Sequence, residues 1–256
     1  MPDELFESLL YYPDRIQRDM PPPRWVPPGG REVWLAAEDG TELHGLWWDE
    51  PADRPAILFL HGNAQEVYSW SLVREDLVAP GCRMLLIDYR GYGKSAGEPH
   101  EAGLYMDGRA ALSWLAGQDV PESDIVVFGK SLGGAVACEI ARGADIAGLV
   151  LESTFTSLAS VARTLFPFAR SIDVKGAYDS ISKLPEISCP VLVIHGEVDT
   201  LIPFDEGMRL FEAAGEPRRL FAVRGAGHND VSIVAGDVYG KTVGEWLDDP
   251  AGGSGR

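Results

Sequence analysis

The sequence predicts an α/β chain, an eight-stranded and mostly parallel sheet with helices on both faces and a short lid. Three observations carry this expectation. Short runs dense in Val, Ile, Leu and Phe recur along the chain with nearly continuous hydrophobicity, the habit of strands buried on both faces beneath covering helices. Between them lie longer segments with apolar residues at intervals of three and four, the period of a helix with one buried face. Finally, 45% hydrophobic and 24% charged residues over 256 positions, with mean hydropathy −0.06, suit a globular chain with a sizeable core and exclude wholesale disorder.

In chain order, the first 31 residues form a lead-in too short to be a domain. Its Met20–Gly30 stretch carries Pro21, Pro22, Pro23, Pro27 and Pro28, so it should be extended and pack Trp25 or Val26 against the body. One domain is expected over residues 32–250. Glu32–Ala37 and Glu42–Trp48 flank Glu38-Asp39-Gly40-Thr41, whose Asp-Gly step suits a tight hairpin turn and an antiparallel start. Ala56–Leu60, Arg83–Asp88, Ile125–Gly129, Gly148–Glu152, Pro190–His195 and Arg218–Val223 then read as parallel strands. The helical patterns between them are Trp70, Val73 and Leu77; Leu104, Gly108, Ala111 and Leu115; Ser131–Arg142; Phe204–Ala214; and Val231–Leu247. Residues 156–185 hold Phe166, Pro167 and Phe168 in a connection longer than usual, which reads as a helical lid. Ala251–Arg256, rich in Gly and Ser, reads as a flexible tail.

Charge removes whole classes of function. The net charge of −17 and pI of about 4.6 have the wrong sign for gripping a phosphate backbone, so no nucleic-acid partner is expected. Cys82, Cys138 and Cys189, odd in number and widely spaced, form neither a disulfide framework nor a metal knuckle and fit a reducing cytoplasm. No apolar run approaches a membrane span, and the opening residues lack the features of a signal peptide. Without a Gly-x-Gly-x-x-Gly after a strand, a P-loop or histidines at metal-ligand spacing, no cofactor and no metal are expected.

The chemistry is concentrated in Gly129-Lys130-Ser131-Leu132-Gly133, a Gly-x-Ser-x-Gly placed directly after a strand and before an Ala-rich helix. A serine on so sharp a turn has its hydroxyl thrust outward, and the flanking glycines permit the close backbone approach. An unactivated serine is a poor nucleophile, so Ser131 calls for a histidine base and an acid that orients it. Asp199 follows one strand in Ile194-His195-Gly196-Glu197-Val198-Asp199, and His228 follows the last in Gly225-Ala226-Gly227-His228-Asn229-Asp230. All three sit where parallel strands end, at the C-terminal edge that open sheets use for their sites.

His44, His61, His100 and His195 read as structural. The acid stays open between Asp199 and Glu152, which also ends a strand, whereas Asp230 reads as a helix cap. An oxyanion hole needs two backbone N–H groups: Leu132 supplies one, and Asn63 or the adjacent Ala64, in His61-Gly62-Asn63-Ala64, the other.

These segments, together with Asp88-Tyr89-Arg90-Gly91-Tyr92-Gly93-Lys94-Ser95 and Glu152-Ser153-Thr154-Phe155-Thr156-Ser157, resemble the Bem46 group of serine α/β-hydrolases from about Glu32 to Leu247. The resemblance implies the α/β-hydrolase fold and hydrolysis of acyl bonds by Ser131, His228 and Asp199, with relatives acting as esterases, lipases, thioesterases or aminopeptidases. Many eukaryotic members carry an N-terminal membrane anchor, and no such anchor is expected here. Asp88–Ser95 reads as a structural turn beside the site, with Arg90 pairing an acid. Haloalkane dehalogenases share the His-Gly-Asn turn but use a carboxylate nucleophile, which Ser131 is not.

The expected partner is a small-molecule or acylated substrate, an ester or thioester in the first instance; oligomeric state is left open. Phe155, Phe166 and Trp70 are candidates for a pocket wall suited to an apolar acyl group, with core packing the alternative. The rival to catalysis is a non-catalytic relative that binds an apolar ligand in the same pocket.

Overall fold

Ala56-Ile57-Leu58-Phe59-Leu60 has no polar face, so as a strand it is stable only when both faces are covered, and all five residues are fully buried. The computed structural model describes residues 11–50, 54–77, 81–165 and 177–251. Within these, the eight strands β1 (Arg31–Ala36), β2 (Glu42–Trp48), β3 (Ala56–Leu60), β4 (Met84–Ile87), β5 (Ile125–Lys130), β6 (Gly148–Glu152), β7 (Val191–Gly196) and β8 (Arg218–Val223) form one sheet in the order β8-β7-β6-β5-β3-β4-β2-β1. The last six strands in sequence pair in parallel, while β2 runs antiparallel to both β1 and β4.

The pleat sorts the apolar residues into two cores. Ala56, Leu58 and Leu60 of β3 with Ile125 and Val127 of β5 face one side, against Leu104, Ala111 and Leu115 of helix α3 (Glu101–Ala116) and Ala135, Val136 and Cys138 of α4 (Leu132–Ala141). Ile57, Phe59, Val126 and Phe128 face the other, against Val67 and Tyr68 of α1 (Val67–Trp70), Leu77 of α2 (Val73–Leu77) and Tyr239, Val243 and Trp246 of α9 (Asp237–Asp248). This strict alternation in continuously apolar strands is what a sheet covered on both faces requires.

Several expectations need correction. The pattern Trp70, Val73 and Leu77 is divided between α1 and α2, because the buried Ser71 closes α1 with its N–H on the Val67 carbonyl and its hydroxyl on that of Tyr68. The single helix expected over Val231–Leu247 is α8 (Val231–Ala235) followed by α9, broken at Gly236 with φ +54. Of the two lead-in residues expected to pack, Val26 does so and Trp25 stays 59% exposed, with the Trp48 indole N–H on the Pro27 carbonyl seating the neighbouring backbone. The lead-in is also more than an approach. Tyr11 enters the core with its hydroxyl 2.6 Å from that of Tyr178, and Tyr12–Pro13 add a parallel bridge to Ala64–Gln65.

Of the lid region, Phe166, Pro167 and Phe168 lie outside the described residues. The described flanks include α5 (Leu158–Leu165) and α6 (Ser180–Lys183). Glu206, in α7 (Phe204–Ala213), anchors the first flank by accepting the Thr156 N–H at 2.8 Å and the hydroxyls of Thr156 and Ser160. Burial pushes the Glu206 carboxyl up, but the donors from Ser160 and Thr156 outweigh it and hold it below its ordinary value. Glu206→Gln is therefore expected to cost about 1.5–3 kcal/mol at neutral pH, the range for hydrogen bonds to a charged group. A folded-state pKa below the unfolded value of about 4.3 means the contribution is complete above that pH and fades as pH falls. Urea titrations should show the gap between wild type and variant narrowing from about pH 7 to about pH 3.

Candidate active site

Ser131 lies between the end of β5 and the start of α4 with φ 53 and ψ −119, a left-handed geometry rare for a residue with a side chain. Its backbone is held by N–H donation to the Glu152 carbonyl at 2.9 Å and by the Thr154 hydroxyl on its own carbonyl at 2.6 Å. The glycines make this possible: a Cβ on Gly133 would lie 1.9 Å from the Leu60 carbonyl oxygen, and one on Gly129 would lie 2.4 Å from that of Gly133. Such strain costs on the order of 1–3 kcal/mol and persists only where the surroundings enforce it.

The loop after β8 brings His228 to this turn. Its Nε2 is 3.1 Å from Ser131 Oγ and its Nδ1 is 2.8 Å from Asp199 Oδ2. The loops bearing the two partners are tied together, since Glu197 N–H donates to the Val223 carbonyl and Val198 N–H to that of Ala226, each at 3.0 Å. Asp230 stands at the N-terminal boundary of α8 but does not cap it as expected. Its Oδ1 accepts the Gly227 N–H at 2.6 Å and so tightens the turn that carries His228.

Asp199 has a buried side chain. Oδ1 accepts the N–H groups of Leu201 and Ile202 at 2.9 and 2.8 Å, leaving Oδ2 for His228. Burial alone would raise this carboxyl, but hydrogen bonds from His195 and His228, attraction to the His228 ring when it is protonated, and the Ile202 N–H hold it well below the usual carboxylate range. An ionised carboxylate only accepts, so Nδ1 of His228 carries the hydrogen and Nε2 of the neutral ring offers its lone pair to the Ser131 hydroxyl.

Glu152, the rival acid, is engaged elsewhere. Its Oε1 is 2.5 Å from Lys130 Nζ and its Oε2 accepts the Tyr239 hydroxyl, both in the buried interior beneath the turn. Arg90 pairs with the acids Asp107 and Asp39, each at 2.8 Å. Among the other histidines, His44 sits between Asp88 and Glu32 at 3.1 and 2.9 Å, His100 precedes α3, and His61 is fully buried, with burial pushing its pKa down. His195 donates its Nε2–H to the Ile202 carbonyl at 2.9 Å and lies 3.5 Å from Asp199 Oδ2. It braces the acid loop, and the short separation of His195 and Asp199 behind one strand was the available signal.

The turn after β3 adjoins the serine: a Cβ on Gly62 would be 3.5 Å from Ser131 Cβ and 3.2 Å from the Trp70 ring. Leu132 opens α4, where the leading N–H groups have no carbonyl one turn earlier. Asn63 keeps its side chain turned to protein donors, the Tyr92 hydroxyl at 2.8 Å and the Tyr12 N–H at 3.3 Å. These tyrosines are the contributors that sequence reasoning missed. Ala64, the other oxyanion candidate, gives its carbonyl to the Trp70 indole N–H at 2.7 Å.

Of the pocket candidates, Trp70 is half-buried, stacks on His61 and borders Gly62. Phe155 is 5% exposed and belongs to the core cluster with Leu132 and Leu158, so packing accounts for most of its surface. Phe166 lies outside the described residues. No helix among the described residues is long and apolar enough to cross a membrane.

Comparison with known proteins agrees with this architecture. The family described as serine aminopeptidase, S33, matches residues 51–173. Rv2307c, an uncharacterized protein of Mycobacterium tuberculosis, is 38% identical over 95% of this chain and 87% of its own. The esterase Pf2001 of Pyrococcus furiosus superposes with a TM-score of 0.76 over 93% of this chain and 97% of its own; at 22% identity this is a likeness of fold. Protein bem46 of Schizosaccharomyces pombe is 32% identical over 94% of this chain and 85% of its own, and with the mostly parallel eight-stranded sheet this establishes that the chain belongs to the Bem46 group of α/β-hydrolases.

Proposed function

We propose that the protein is a serine hydrolase that cleaves acyl bonds, a carboxylic ester or thioester, through an acyl-enzyme on Ser131. The observation that carries this reading is the unbroken relay from Ser131 Oγ to His228 at 3.1 Å and from His228 to Asp199 at 2.8 Å, mounted on a strained turn. In the first half-reaction His228 Nε2 takes the hydroxyl proton as Ser131 Oγ bonds to the acyl carbon, and Asp199 stabilises the imidazolium. The oxyanion lies against the backbone N–H groups of Leu132 and Asn63. His228 then returns the proton to the leaving alcohol or thiol; water, deprotonated by the same nitrogen, bonds to the acyl carbon, and His228 passes that proton to Ser131 Oγ as the acid leaves.

The family description favours one second reading, hydrolysis of aminoacyl amides by the same residues. The half-buried Trp70 beside Gly62 supports an apolar acyl group. The cysteines, all buried and free, are consistent with a reducing cytoplasm.

A fluorophosphonate probe is expected to label wild-type protein once, on Ser131, and to leave Ser131→Ala unlabelled. An unlabelled wild type would turn the reading toward a non-catalytic ligand-binding relative. A screen of p-nitrophenyl esters of increasing chain length beside thioesters and aminoacyl amides would assign the bond class. Turnover should be unchanged by EDTA, since each step above is carried by a protein group; loss reversed by added metal would contradict the mechanism.

A further inference from the structure

The turn from His61 to Gln65 is held by groups from three separate parts of the chain. The Tyr89 hydroxyl donates to the His61 carbonyl at 3.1 Å, the Trp70 indole N–H takes the Ala64 carbonyl at 2.7 Å, and Tyr12–Pro13 bridge Ala64–Gln65 in parallel. On Asn63 itself two donors converge on Oδ1: the Tyr92 hydroxyl at 2.8 Å and the Tyr12 N–H at 3.3 Å. This is more restraint than a solvent-facing turn needs, and Gln65 holds φ 66, a left-handed geometry that the surroundings must enforce.

Two donors on Oδ1 hold the Asn63 side chain in place and with it Cβ and Cα, which restrains the backbone torsions that set the direction of the Asn63 N–H. Oxyanion stabilisation depends on that direction, because a donor acts through pre-alignment with the site where charge develops. Tyr92 is well placed to hold it. Its ring is fully buried, packed edge-on to His61 at 5.3 Å and to Tyr89 at 6.0 Å, so the hydroxyl has little freedom to leave. The Asp88–Ser95 turn that carries it is itself fixed, with Asp88 Oδ1 accepting the Val67 N–H at 2.8 Å and Ser95 Oγ donating to the Asp88 carbonyl at 2.7 Å.

We infer that Tyr92 is a positioning residue for the acyl-transfer step, whose hydroxyl locks the Asn63 side chain and thereby aims the Asn63 N–H at the oxyanion. The inference rests on the hydrolase reading above. Tyr92 touches no reacting atom; it acts through Asn63, with the N-terminal strap at Tyr12 as the second support.

The test is a double-mutant cycle on Tyr92→Phe and Asn63→Ala in the full chain, read with a p-nitrophenyl ester and with a boronic-acid analogue of the tetrahedral intermediate. Tyr92→Phe keeps the packed ring and removes only the hydroxyl. It is expected to lower kcat by about 10- to 100-fold, at or below the loss for removing a whole oxyanion donor, with KM within about twofold. Boronate affinity should fall by the same factor as kcat. Because the Tyr92 hydroxyl works through Asn63, Tyr92→Phe should cost little more in the Asn63→Ala background. Full additivity, a loss confined to KM, or kcat within twofold of wild type would overturn the inference. Failure of the parent reading shows differently, as fluorophosphonate labelling and turnover that survive Ser131→Ala. Thermal melts identify a folding defect, and in that case boronate binding by the folded fraction still decides the outcome.

Discussion

Ser131→Ala is expected to lower turnover of an ester substrate by a factor on the order of 10⁶ while the chain still folds. The size follows from the chemistry: without Oγ no covalent intermediate forms, and His228 has no hydroxyl proton to accept at the 3.1 Å contact it now makes. On the proposed mechanism what remains is binding and the oxyanion N–H groups, which by themselves leave a residual acceleration over water of roughly 10³–10⁴. Alanine keeps the backbone of the turn, because the restraints at position 131 are the Glu152 and Thr154 contacts to its main chain and the close glycine packing. His228→Ala should be as severe, since the two residues act as one unit. The measurement is kcat on p-nitrophenyl esters beside a circular-dichroism spectrum, and more than a tenth of wild-type activity in either variant would remove that residue from the mechanism.

Asp199→Asn is expected to cost roughly 10⁴ in kcat, the loss expected when the acid behind the histidine no longer accepts. An asparagine amide facing Nδ1 donates where the carboxylate accepted, so the ring hydrogen moves to Nε2 and points at Ser131, unable to take its proton. Glu152→Gln should lose less than tenfold. Its oxygens are occupied by Lys130 and Tyr239, so neutralising it weakens a buried ion pair and tells in stability before chemistry. Steady-state kinetics on both variants, with folding checked by circular dichroism, separates the two carboxylates. An inert Asp199 with an essential Glu152 would place the orienting acid on the neighbouring strand and reverse the assignment.

The sequence by itself determined those parts of the protein that local pattern encodes. Eight strands, the last six parallel, follow from runs such as Ala56–Leu60 and Val191–His195, whose continuous hydrophobicity is meaningful only between two covered faces. Ser131 was legible because strand, glycine, serine, glycine and helix are contiguous, and Asp199 and His228 because they lie three and five residues past the ends of β7 and β8. Tertiary structure alone decided which carboxylate faces the histidine. Asp199 and Glu152 both end strands, and only the folded loops bring Asp199 to 2.8 Å from His228 while turning Glu152 to Lys130 and Tyr239. It also placed Tyr11 in the core, Tyr12 and Tyr92 on Asn63, and Phe155 among packed neighbours. None of these has a signal in its own neighbourhood of sequence, because Tyr12 lies 51 positions and Tyr92 29 positions from Asn63. Periodicity and turn chemistry act over one or two turns of chain, whereas hydrogen bonds between distant residues depend on distances that exist only after the sheet has closed its order and the helices have packed upon it.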